Sequence, residues 1–139
     1  MFNTIIEATQ NFCIHQMRDE FVITDNINKE RTLIAYIDID AFDGQKHRVY
    51  LSAEKSFVQK VSMVFLEEEQ SDEETLQDML LETTNLIVGS AKVLAEGSNE
   101  PYNINTPFFE KEGSFDYEYD HATTFSIQNY TLSIAIKEI

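Results

Sequence analysis

Residues 71–107 read SDEETLQDMLLETTNLIVGSAKVLAEGSNEPYNINTP. Ser71 followed three residues later by Glu74 has the form of a capping box, and Asp72, Glu73 and Glu74 suit the positive end of a helix dipole. Gly97 stands where a C′ glycine would close the helix, so the spacing predicts one long helix from about Asp72 to Glu96. At 100° per residue, Leu76, Met79, Leu80, Thr83, Ile87, Ser90, Ala91 and Leu94 share one face, the expected core stripe. Asp78, Glu82, Asn85, Gly89 and Lys92 recur at alternating spacings of four and three and form a narrow polar line on the opposite side. Leu81 and Val88 flank that line on one side, Leu86 and Val93 on the other. A polar line in an apolar frame is the pattern of a surface that receives a partner. Gly89 costs a helix interior about 0.5–1 kcal/mol relative to alanine. Two readings account for it: close approach of a partner one turn beyond Asn85, or tight packing inside the protein.

The whole chain sets the outer limits. Its 139 residues, 42% hydrophobic and 12% aromatic, are enough for one folded domain, 1–139, with a real core. No run approaches the length of a membrane span, and Met1-Phe2-Asn3 does not begin a signal peptide. The single cysteine, Cys13, excludes an internal disulfide and a cysteine-based zinc site and agrees with a reducing cytoplasm. A formal charge of −15 argues against binding to nucleic acid or to an anionic membrane. The expectation is a cytoplasmic protein.

Outward from the central helix, Phe2, Ile5, Ile6, Thr9, Phe12, Cys13 and Met17 predict an amphipathic first helix of about four turns. Cys13 lies on its apolar face as a buried thiol rather than a nucleophile, since no cationic neighbour is evident. His15 has no second His or Cys at chelating spacing. Phe21 to Thr24 reads as a short strand, and Thr32 to Phe42 as a longer one. Asp43-Gly44 marks a hairpin back into Lys46 to Leu51. Asp38 and Asp40 share one face of that strand without a third ligand, which favours a solvated face over a metal site. Ser52 is a candidate N-cap for a second helix whose apolar face is Ala53, Phe57, Val58, Val61, Val64 and Phe65. Beyond the central helix, Pro101 to Glu110 reads as extended, with Pro107 implying an edge, bulge or bend. Lys111 to Ser114 reads as a turn. Phe115, Tyr117 and Tyr119 alternate with acids as a strand, and a hairpin around Asn129 joins Ala122–Gln128 to Tyr130–Lys137. This order is α+β, an antiparallel sheet covered by helices.

The run from Asp78 through Glu82, Asn85, Gly89 and Lys92, followed by Pro107, resembles the signature of the CheC/CheX/FliY chemotaxis phosphatases. That signature is E-x-x-N on a helix, then glycine, a small residue with lysine, and proline. The first helix, with Ile6-Glu7-Ala8-Thr9-Gln10-Asn11-Phe12, is similar to the start of CheX proteins, and chain length and element order match CheX from end to end. Leu81 stands where the family often has glycine and Ser90 where asparagine is common, while the strand after Pro107 is less aliphatic.

The resemblance implies a phosphatase that hydrolyses the aspartyl-phosphate of a CheY-type response regulator, with Glu82 and Asn85 as its catalytic residues. Asn has no useful basicity, but its carboxamide both donates to and accepts from a water and can hold it in line with phosphorus. Glu82, one turn away, would pair with the regulator's active-site lysine. Asp78, Leu81, Leu86, Val88, Gly89 and Lys92 are then docking residues. No cofactor is expected on this chain, Mg²⁺ belonging to the regulator. A homodimer is implied as well. Glu7-x-x-Gln10 in the first helix resembles Glu82-x-x-Asn85, as expected of a duplicated unit with one decayed copy. Two other readings stand beside the phosphatase: a non-catalytic module that captures the regulator or another chemotaxis protein, and a purely structural switch or scaffold subunit.

Overall fold

The computed structural model describes residues 1–139. Helix α1 spans Phe2–Asn11 and runs on as a π-helical segment, Phe12–Gln16, closed by Met17 N–H donating to the Phe12 carbonyl at 3.0 Å. Four regular turns were expected here; the last of them is widened. Cys13 is fully buried in that segment, and burial, reinforced by the charge of Asp19, pushes its thiol up to about 12.

Strands β1 (Val22–Thr24), β2 (Thr32–Ala41) and β3 (Lys46–Ala53) follow. Gly44, at φ +89°, makes the turn between β2 and β3 that Asp43-Gly44 signals. Helices α2 (Lys55–Leu66) and α3 (Glu73–Gly97) come next, then β4 (Tyr102–Ile104), β5 (Phe108–Gly113), β6 (His121–Ile127) and β7 (Tyr130–Glu138). All pairings are antiparallel, in the order β1-β6-β7-β3-β2-β4, with β5 sharing the free edge of β2 with β4. Pro107 falls in the gap between β4 and β5, where no ladder bond is lost.

The period-two pattern of β2 separates the faces. Leu33, Ala35, Ile37 and Ile39 enter the main core with the helices. Ile34 points the other way, into a smaller cluster with Ile27, Tyr50, Phe115, Ala122 and Ala135. The helices thus cover one face, as an α+β sheet requires. On the opposite face Asp38 accepts from Arg48 Nε and Nη2 at 2.7 and 3.0 Å. It is paired rather than solvated, while Asp40 accepts from the Asn105 side chain at 3.2 Å.

Three local expectations are corrected. Ser52 is buried in β3 beside Thr32, and the N-cap of α2 is Glu54, which makes no side-chain capping bond. Residues 114–119 form no strand. Their aromatic alternation serves packing instead, Phe115 meeting Tyr50 edge-on at 5.3 Å between ring centres. Lys111 to Gly113, read as a turn, continue β5 along β2 past a bulge at Ile34/Ala35.

Candidate functional site

Helix α3 begins one residue later than the capping box implies. Asp72 is the N-cap, its Oδ1 accepting from Thr75 N–H at 2.8 Å, and this bond lowers its carboxyl pKa. Ser71 instead meets Ser62 Oγ at 2.7 Å and donates to Glu68 at 2.8 Å, tying the α2–α3 connection. At the other end Gly97 is still helical, and Asn99, at φ +65°, takes the left-handed position. Lys55 Nζ bridges Glu73 and Glu112 at 2.5 and 3.2 Å, joining the start of α3 to the edge strand β5.

The middle of α3 explains why the polar line faces outward. Thr83 and Thr84 are both buried, and each hydroxyl donates to a helix carbonyl four residues back, Met79 at 2.7 Å and Leu80 at 2.8 Å. Satisfied in this way, the two threonines enter the core without cost from an unpaired hydroxyl. Glu82 and Asn85, bracketing them, are left on the exposed side. Both side chains are exposed, lie one turn apart on one face, and make no hydrogen bond or ion pair within the chain. On such a face a carboxylate and a carboxamide stand about 5–6 Å apart at Cβ, close enough to address one incoming group.

The other residues of the expected frame divide. Asp78 is exposed, Leu81 is half-buried against the core, and Leu86 and Val93 are exposed. Val88, expected beside the polar line as a docking residue, is 0% exposed. The reason is β4: buried Tyr102 packs against this flank and donates its hydroxyl to the Val88 carbonyl at 3.2 Å. A second neighbour thus widens the buried arc of α3, taking in Thr84, Val88 and Ala95, while Ser90, expected in the core, is exposed. Burial also raises the pKa of the Tyr102 phenol.

Gly89 is not a packing glycine: a Cβ built there would meet nothing within 4 Å. The open space lies one turn beyond Asn85, and Lys92 follows it, half-buried and without an ion pair. No three His, Cys, Asp or Glu side chains gather as a metal site. On α1, Glu7 is exposed and Gln10 half-buried. One part of the surroundings went unread in the sequence. Val64 and Phe65, expected in the core, are exposed at the end of α2 together with Met63 and Leu66. Their helical spacing matched a core face, and the only warning was that the apolar run stops at Glu67-Glu68-Glu69.

The family description chemotaxis phosphatase CheX matches residues 37–131, a stretch running from β2 to β7 and containing the whole of α3. The chain belongs to the CheX family. The fold agrees with solved CheX structures. A chemotactic CheC-like protein from Shewanella oneidensis MR-1 superposes with TM-score 0.83 at 16% identity, covering 99% of this chain and 96% of that one. CheX from Vibrio vulnificus gives 0.78 at 17% identity, covering 97% and 95%. CheX of Borrelia burgdorferi, solved in complex with CheY, BeF₃ and Mg²⁺, gives 0.72 at 15% identity, covering 99% and 97%. Comparison of the sequence with curated proteins finds no match. No helix of this CheX protein is long and apolar enough to cross a membrane.

Proposed function

We propose that this CheX protein is a cytoplasmic phosphatase that accelerates hydrolysis of the aspartyl-phosphate of a CheY-type response regulator. The observation that carries this reading is the state of Glu82 and Asn85: exposed, one turn apart and unpartnered, with open space at Gly89 beside them. A side chain already spent on internal bonds cannot hold a water for a partner; these two are free to do so.

In this mechanism Asn85 accepts from and donates to the attacking water and fixes it in line with phosphorus. Glu82 forms a charge-assisted bond with the regulator's active-site lysine and sets the register of docking. Mg²⁺ is assigned to the regulator in this reading, which the Borrelia complex of CheX with CheY, BeF₃ and Mg²⁺ supports. Positioning a nucleophile contributes on the order of 10²-fold or more in rate, without a general base on this chain. Asp78, Leu86, Gly89 and Lys92 surround the pair as docking residues, and half-buried Leu81 supports it from below. The homodimer expected from the family belongs to the same proposal.

The test is phosphate release from a Mg²⁺-bound, phosphorylated CheY of the same organism, with wild-type protein, Asn85→Ala and Glu82→Ala. Acceleration by wild type that Asn85→Ala abolishes, while complex formation persists, supports the water-positioning role. No acceleration by wild type sinks the phosphatase and leaves phosphorylation-dependent capture as the reading to measure next.

A further inference from the structure

The end of α2 leaves four consecutive apolar residues, Met63 to Leu66, each at least 39% exposed. Helix ends in water rarely do this. Phe65 stacks on Phe12 of the π-helical segment with ring centres 6.3 Å apart, which holds the end of α2 against α1. Between α1, α2 and α3 lies a cleft of about 210 Å³, whose walls include Ala8, Phe12, Phe65, Leu86, Ile87 and Ser90. Leu86 is 39% exposed and follows Asn85 directly, so the cleft opens beside the polar line.

The rim is acidic. Glu67, Glu68 and Glu69 are exposed, and no cation pairs with any of them, although seven of the ten Lys and Arg side chains do find an acidic partner elsewhere.

From this placement we infer that the cleft is the apolar half of the regulator-docking surface, taking an apolar ridge flanked by Lys or Arg on the regulator whose phosphoryl group reaches Asn85. The inference rests on the phosphatase reading for the identity of that partner. Area argues for a single occupant. A specific interface covers about 800 Å² per partner, a disc of roughly 16 Å radius, whereas one helix face is only about 10 Å across. A partner centred on Asn85 must therefore extend beyond α3, and its neighbour Leu86 opens onto the cleft. The opposite flank offers less apolar contact because Val88 is sealed under Tyr102. Charge argues against a second copy of this chain, since two chains at −15 each would repel.

The test uses the full chain and two measurements. Steady-state phosphate release from the phosphorylated regulator gives kcat and KM; calorimetric titration with the BeF₃-activated, Mg²⁺-bound regulator gives Kd without turnover. Phe65→Gln and Ser90→Gln alter exposed side chains of the cleft wall, and circular dichroism checks their folding. Each is expected to raise KM and Kd about tenfold, leaving kcat at saturation within about twofold. Glu67→Lys/Glu69→Lys, away from the packed cleft, is expected to weaken binding and flatten its salt dependence. Unchanged KM and Kd in Phe65→Gln and Ser90→Gln overturns the inference while an active wild type keeps the phosphatase. Inactive wild type with cleft-dependent Kd removes the phosphatase and keeps the cleft. A wild-type dimer that Phe65→Gln converts to monomer, with Kd unchanged, assigns the cleft to a second copy and overturns the inference.

Discussion

Helices α1 and α3 lie against each other on the same face of the sheet, and each carries an acid followed three residues later by an amide: Glu7 and Gln10 on α1, Glu82 and Asn85 on α3. The similarity ends one turn later. Four residues beyond Asn85, α3 has Gly89 with open space over it; four residues beyond Gln10, α1 has the β-branched side chain of Ile14. In α3 the helix stays regular through the motif and for three further turns. In α1 it passes into a π-helical segment two residues after Gln10, which changes the azimuth of everything beyond. Gln10 is half-buried where Asn85 is exposed. The difference teaches that equal motif spacing does not give equal surroundings: beyond Asn85 the helix stays regular with open space at Gly89, and beyond Gln10 it does not.

The largest expected effect tests that contrast directly. Asn85→Ala should lower regulator dephosphorylation on the order of 10²-fold, and Gln10→Ala should leave it within about twofold, both read as phosphate release. A large loss in Gln10→Ala would make the helices equivalent and break the comparison. Gly89→Leu should come next, lowering kcat/KM by about tenfold, equal to about 1.4 kcal/mol, because its side chain fills space one turn beyond Asn85. Gly89→Ala, by contrast, should stabilise the fold by about 0.5–1 kcal/mol in urea unfolding. Stability and activity moving in opposite directions would mark the glycine as kept for the surface, not for the helix.

The π-helical side sharpens the comparison through Cys13. Its thiol is pushed up to about 12 by burial and then by Asp19, while an exposed thiol titrates near 8.5. The unfolded chain therefore loses its proton first as pH rises. This contribution to stability is complete below about 8.5 and is lost progressively between there and about 12. Cys13→Ala should flatten that alkaline slope in denaturation midpoints measured from pH 8 to 11. In the native protein at pH 8, Cys13 should resist iodoacetamide until denaturant is added. The smallest effect is expected at Tyr102→Phe. Loss of the bond to the Val88 carbonyl should cost about 0.5–1.5 kcal/mol in urea unfolding, with little change in catalysis, since Val88 lies beneath the surface.

Much of the site was legible because α3 is long and regular. Over seven turns the 3.6-residue period separates inside from outside, so Asp78, Glu82, Asn85, Gly89 and Lys92 could be placed on one line before any neighbour was known. The hairpin at Gly44 and the antiparallel α+β arrangement were readable for a similar reason: turn chemistry and period-two alternation are local. Misreadings arose where a residue type fits two structures. Ser71 and Asp72 are both good caps, and only backbone direction chose between them. Phe115, Tyr117 and Tyr119 alternate like a strand but pack on the outer sheet face without a ladder partner. Val64 and Phe65 match a core face, yet α2 runs past the edge of the core it would need.

The sequence by itself determined the central helix, its outward polar pair and the fold class, because these depend on periodicity and on residues that satisfy their own backbone. Tertiary structure alone decided how wide the exposed strip is and what lies beside it. Tyr102, fourteen residues from Val88 in the chain, closes one flank of α3; Phe65 and Phe12, more than fifty residues apart, build the cleft on the other. Contacts between distant segments leave no period in the sequence of either one. They appear only when the sheet and three helices have fixed where each flank ends.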